Sequence, residues 1–136
     1  MRQDPNKATD ICHILIIENE TLVALDLQTL LREAGATSFA FATTEADAMF
    51  QAHLHRPDII TSGVCLATGT GPAAIQSIRD RFGMIPVLFI SGTPEDDIPR
   101  EPGDAVFHKP FDHVEISAAF QDILDRRTTT VDGDAV

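Results

Sequence analysis

The stretch RPDIITSGVCLATGTGP, residues 56–72, decides the fold. Its first half, residues 57–64, reads as a short strand: a leading proline, then Ile59, Ile60 and Val64 with small residues between them. Proline is tolerated at a strand's first residue because its missing N–H lies outside the ladder. Residues 65–70 form a glycine-bearing loop, and Gly71-Pro72 opens a helix. Strand, loop and helix in that order make half of a β-α-β unit. In such folds ligands and chemistry gather at the carboxyl end of the strand. At this tip stand Ser62 and Gly63, with no acid, histidine or thiol in the strand itself.

Outward from this unit the same alternation repeats. Upstream, ICHILII (residues 11–17) is a β-branched apolar run, the pattern of a strand buried on both faces, and it ends in Glu18-Asn19-Glu20. Val23, Leu27, Leu30, Leu31 and Ala34 then recur at helical spacing up to Gly35. Residues 38–42 read as a strand. Thr43 or Thr44 caps a helix to about His53, with Ala48, Met49 and Ala52 inward. Downstream, Ile75, Ile78 and Phe82 mark a helix from Pro72, and IPVLFI (85–90) is a buried strand ending in Ser91-Gly92. Residues 93–104 contain Pro94, Pro99, Pro102 and Gly103, so the fourth helix is shortened to a turn or two. Residues 105–108 form a fifth strand. Asp112 caps a last helix with Ile116, Ala119, Phe120, Ile123 and Leu124 inward.

The pattern is (βα)5: an α/β, doubly wound parallel sheet with right-handed crossovers. Its boundaries are a flexible amino terminus (1–10), one domain (11–127) and a flexible tail (128–136). A chain of 136 residues with 43% hydrophobic and 23% charged residues is ordinary for one globular domain. A formal net charge of −11 argues against a nucleic-acid surface. Cys12 and Cys65 lie at opposite ends of neighbouring strands, which excludes a disulfide, and Cys65 reads as a small half-buried hydrophobe. The five histidines, His13, His53, His55, His108 and His113, share no ligand spacing, and most are expected on the surface. The longest apolar run, residues 14–17, is far too short to span a membrane, and the expectation is a cytoplasmic protein.

Glu18-Asn19, Gly63, Ser91 and Lys109 all follow strand ends and so meet at one edge of the sheet. With ILIIENE, RPDIITSGVCL, the loop-closing Gly71, IPVLFISG and VFHKPF in order, residues 11–127 resemble the receiver domain of two-component response regulators. The resemblance implies the flavodoxin-like strand order 2-1-3-4-5. It also implies a cis Lys109–Pro110 bond. It places an Mg²⁺-binding acid pair at positions 18 and 19, a phosphate-accepting Asp at 63, a Ser or Thr at 91, a Lys at 109 and a switch aromatic at 106. Glu18, Ser91 and Lys109 are kept, whereas Asn19, Gly63 and Val106 depart from the pattern. The family pocket sums to −2. Here Glu18 and Lys109 sum to zero, with Glu20 assigned to the helix dipole. The pocket is therefore that of a degenerate receiver, with no catalytic residue, no phosphorylation on Asp and weak or absent Mg²⁺ binding.

The resulting expectation is a stand-alone, non-enzymatic receiver-like signalling protein of a two-component or phosphorelay pathway, working through protein–protein contact. Its partner would be a histidine kinase or another two-component protein, or a second copy through the last helix and strand. A phosphorylatable, Mg²⁺-dependent regulator with a shifted site is the alternative, and Ser62 is a candidate substitute acceptor. A flavodoxin-type FMN protein fits less well, because acids rather than a Gly/Ser/Thr-rich anion loop open the first helix.

Overall fold

Runs of β-branched and apolar residues set the strands, and the helices between them force the strands to run parallel. A computed structural model describes residues 12–92 and 98–135, with side chains described up to residue 127. The elements are β1 (His13–Ile17), α1 (Thr21–Glu33), β2 (Ser38–Ala42), α2 (Glu45–Leu54), β3 (Ile59–Gly63), α3 (Gly71–Phe82), β4 (Val87–Ser91), β5 (Ala105–His108) and α4 (His113–Ala135). The sheet is all parallel with strand order β2-β1-β3-β4-β5, the order that the resemblance implies.

The two-residue period of each strand sends alternate side chains into two separate cores. Ile14, Ile16, Ile59, Leu88 and Ile90 pack under α1 and α4 with Leu27, Leu31, Ile116 and Phe120. Leu15, Ile17, Ile60, Val87 and Phe89 pack under α2 and α3 with Ala48, Ala52, Ile75 and Ile78. Local caps close the helices where the sequence places them. Thr44 Oγ1 accepts the Asp47 N–H at 3.0 Å, Thr70 Oγ1 accepts that of Ala73 at 3.2 Å, and Asp112 Oδ1 accepts that of Val114 at 2.7 Å.

Between β4 and β5, residues 98–104 hold a turn at Pro102-Gly103 and no helix, while residues 93–97 of the altered segment lie outside the description. The amino-terminal segment 1–10 lies outside it too. Helix α4 extends to Ala135, into the stretch read from sequence as a tail. No proline interrupts it, and adding residues to an existing helix costs little compared with nucleating one. Among the described residues, no helix is long and apolar enough to cross a membrane.

One of the five histidines is not on the surface. His13 is buried, because β1 is covered on both sides from its first residue. Its ring stacks on His55 at 3.6 Å between centroids, and Nδ1 lies 2.7 Å from Ser38 Oγ. Burial, and then the neighbouring His55, push its pKa below the ordinary 6.5, against the opposing charge of Asp58. The unfolded chain therefore takes up a proton first as pH falls. His13 contributes its full stability above about pH 6.5 and loses it as pH drops below that value. Urea unfolding of wild type and His13→Phe between pH 7 and 5 checks this: the wild-type midpoint should fall more steeply with pH. Equal slopes would refute it.

Candidate functional site

The ends of β1, β3, β4 and β5 each deliver one piece of a cleft of about 390 Å³ at the carboxyl edge of the sheet. Glu18 follows β1 directly, held by its N–H donating to Ala42 O at 2.9 Å, and its side chain is buried. Glu18 Oε2 accepts the Glu20 N–H at 3.0 Å and Lys109 Nζ at 3.3 Å. Lys109 follows β5 directly and is joined to Pro110 by a cis bond, and its N–H donates to Ser91 O at 2.8 Å.

Glu20 takes a role that sequence reasoning missed. Its Oε1 lies 2.6 Å from Lys109 Nζ, closer than Glu18 does. Lys109 and Glu20 are 89 residues apart, so no local pattern announces the pair. Burial opposes the ammonium. The Glu20 hydrogen bond and the charges of Glu18 and Glu20 outweigh it, so the Lys109 pKa is raised. The cleft's charged groups are Glu18, Glu20 and Lys109, a formal −1 rather than the zero expected from Glu18 and Lys109 alone.

Gly63 ends β3 directly beneath Glu18. A Cβ built there would stand 2.9 Å from Glu18 Oε1, an oxygen that is buried and has no hydrogen-bond partner. The glycine thus leaves room for the Glu18 carboxylate. Gly71 is required for a different reason: a Cβ on it would overlap the Gly63 carbonyl oxygen. Its N–H donates to Val64 O at 2.8 Å, closing the loop. The loop is clasped from outside by Glu45, whose Oε2 accepts the Thr70 N–H at 2.8 Å.

The remaining candidates separate. Asn19 is exposed and lines the cleft. Ser91 is fully buried, and Ile90 and Gly92 make the wall at that strand end. Ser62 is also buried, with its hydroxyl donating to Gly63 O at 2.8 Å, which makes it a poor substitute acceptor. Val106 pairs in register with Phe89 and packs half-buried on the α2/α3 core. Cys65 is exposed at the cleft lip rather than half-buried, because the loop carries it off the end of β3.

The implied divalent cation fits this donor set poorly. Mg²⁺ demands hard oxygens in near-octahedral array. Glu18 Oε2 and Glu20 Oε1 already face the Lys109 ammonium, and Gly63 supplies no side-chain oxygen. Among the described residues no three His, Cys, Asp or Glu side chains gather closely enough to hold a metal.

A model of the response regulator receiver domain family matches residues 14–121. The phyllosphere-induced regulator PhyR of Methylorubrum extorquens is 33% identical over 115 residues, which cover 82% of this chain and 43% of that protein. The response regulator Rre1 of a Synechocystis strain is 26% identical over 88% of this chain and 54% of its own. The chain thus spans about half the length of these curated relatives. Among solved structures, the receiver domain of Erythrobacter litoralis PhyR superposes with a TM-score of 0.74 at 28% identity, covering 86% of this chain and 92% of that one.

Proposed function

The chain belongs to the response regulator receiver domain family, and from that premise we propose that it is a cytoplasmic relay of two-component signals that works by protein–protein contact, without catalysis and without taking phosphate on an aspartate. The observation that carries this reading is the β3 tip: Gly63 stands under the Glu18 carboxylate, and the Lys109 ammonium binds Glu18 and Glu20. An internal cation thus meets the acids that a divalent ion would otherwise bridge, and the reading includes weak Mg²⁺ binding.

The partner in this reading is a histidine kinase or another two-component protein. Leu22 on α1 and Val114 on α4 are 81% and 75% exposed, beyond anything the core needs. Asp26, one turn after Leu22, meets His113, the residue before Val114, at 2.9 Å, so α1 and α4 are joined close to these two residues. In this reading the two side chains form part of a contact surface, which contiguous apolar groups rimmed by charge make.

Cross-linked capture from the native cell, identified by mass spectrometry, tests the proposal. Peptides of a histidine kinase, phosphotransfer or receiver protein should be recovered with wild type and lost with Leu22→Arg/Val114→Arg. Phe50→Arg, on the other side of the sheet, should leave recovery intact. Recovery that ignores the double change, or yields no two-component protein, would refute it. A second copy as the partner predicts a dimer in sedimentation that the same double change dissociates.

A further inference from the structure

At the amino-terminal edge of the sheet, opposite the receiver cleft, lies a larger cleft of about 570 Å³. It opens where the chain enters β3, β4 and β5, beside the middle turns of α4. We infer that this cleft binds a small nucleotide, a planar ring carrying phosphate.

The first ground is charge. Arg56, Arg79, Arg126 and Arg127 line this one cleft, four of the chain's ten basic residues, on a chain of formal charge −11. They face Asp58, Glu101 and Asp104, and Asp122 pairs with Arg126, so the cleft is brought to local neutrality on a strongly acidic chain. A neutral, arginine-lined cleft can admit a small anion that the rest of the acidic surface repels, while the surrounding charge repels long polyanions such as nucleic acid.

The second ground is the state of those arginines. Arg79 is a strut: its Nη2 meets both Asp104 oxygens at 2.7 and 2.9 Å and the Ile85 carbonyl at 2.9 Å. The other three are held loosely. Arg56 donates to Phe82 O at 3.0 Å, Arg127 to Asp58 at 3.3 Å, and Arg126 pairs with a mostly exposed Asp122 at 3.3 Å. A guanidinium has five donors, so these contacts leave forks suited to phosphate oxygens. Arg126 also reaches across the cleft, since a Cβ on Gly103 would lie 3.1 Å from its Nη1.

The third ground is the floor. Ile85, Pro86 and Ile123 line it, and Met84 stands 66% exposed at its rim. An apolar floor beneath arginines suits a flat base, which stacks on guanidinium planes and on an adaptable methionine. The volume is that of an ordinary small-ligand pocket. Asp104 also accepts the Val87 and Glu101 N–H groups, so the wall is set before a ligand arrives.

NMR titration of the full chain with AMP, ATP and inorganic phosphate, without Mg²⁺, tests the inference. AMP and ATP should saturate below about 1 mM, shifting the amides of Ile85, Glu101, Gly103 and Asp104. Arg56→Gln/Arg126→Gln alters two exposed side chains and should weaken binding at least about tenfold with the spectrum otherwise retained. Glu101→Gln, which removes a carboxylate from the rim, should tighten it about twofold. Absence of saturation, shifts at Glu18 and Lys109 instead, or a double variant that binds as wild type would overturn the inference. Phosphate alone, or a short acidic peptide, binding as well as AMP would overturn the nucleotide class.

Discussion

Treated with acetyl phosphate and Mg²⁺, the wild-type protein should stay unmodified, whereas Asn19→Asp/Gly63→Asp should gain one hydroxylamine-labile phosphoryl group. Acyl phosphate formation needs a carboxylate oxygen to attack phosphorus as acetate leaves. It also needs a hard cation to spread the charge that develops. In the wild type the position beneath Glu18 carries no side chain, and Glu18 and Glu20 are already bound to Lys109. Gly63→Asp alone supplies the nucleophile, but its Cβ arrives 2.9 Å from Glu18 Oε1, so the Glu18 head group must shift. The single variant should therefore react poorly. Adding Asn19→Asp supplies a second hard donor at the exposed lip and should recover both metal binding and transfer. Intact-protein mass spectrometry before and after hydroxylamine, which releases phosphate from an acyl phosphate, reads the outcome. An adduct on the wild type would sink the proposed function. A folded double variant that takes no phosphate would show that this cleft differs from a working one at more than Gly63 and Asn19.

Replacing Asp104 by Ala should cost about 3–5 kcal/mol, a large share of the roughly 5–15 kcal/mol that holds a domain together. Arg79 and Asp104 have side chains 8% and 1% exposed, and the carboxylate also accepts the Val87 and Glu101 N–H groups. Its removal strands a buried guanidinium and two backbone donors at once. Arg79→Met/Asp104→Ala should cost less than Asp104→Ala alone, because no charge is then left unpaired. Arg126→Ala breaks a pair whose side chains are 52% and 68% exposed and should stay within about 1 kcal/mol of wild type. Urea unfolding at pH 7.5 measures all three. A loss below about 1 kcal/mol for Asp104→Ala would mean that water replaces the carboxylate at this site.

Much of the fold is legible because its signals are local. ILII, IITSG and VLFIS alternate between two cores as any strand covered on both sides must, and Leu27, Leu31 and Phe120 fall on inward helical faces by their spacing alone. Strand ends could be named without coordinates, so Glu18, Gly63 and Lys109 could be brought to one edge. Three prolines in twelve residues likewise foretold a non-helical return from β4 to β5, as residues 98–104 show.

Tertiary structure alone decided what those residues do to one another. Glu20 reads from sequence as a helix-opening acid, yet it holds a lysine 89 residues away, because β1 and β5 end at the same edge. Arg79 and Asp104, 25 residues apart, become a buried pair only when α3 and the 101–104 turn close on each other. His13 is buried by neighbours on both sides of β1 rather than by its own polarity. The four arginines of the amino-terminal cleft lie between positions 56 and 127 and share no motif. Periodicity reports which face a residue occupies. Ion pairs and clefts depend on distances between segments, and packing fixes those distances.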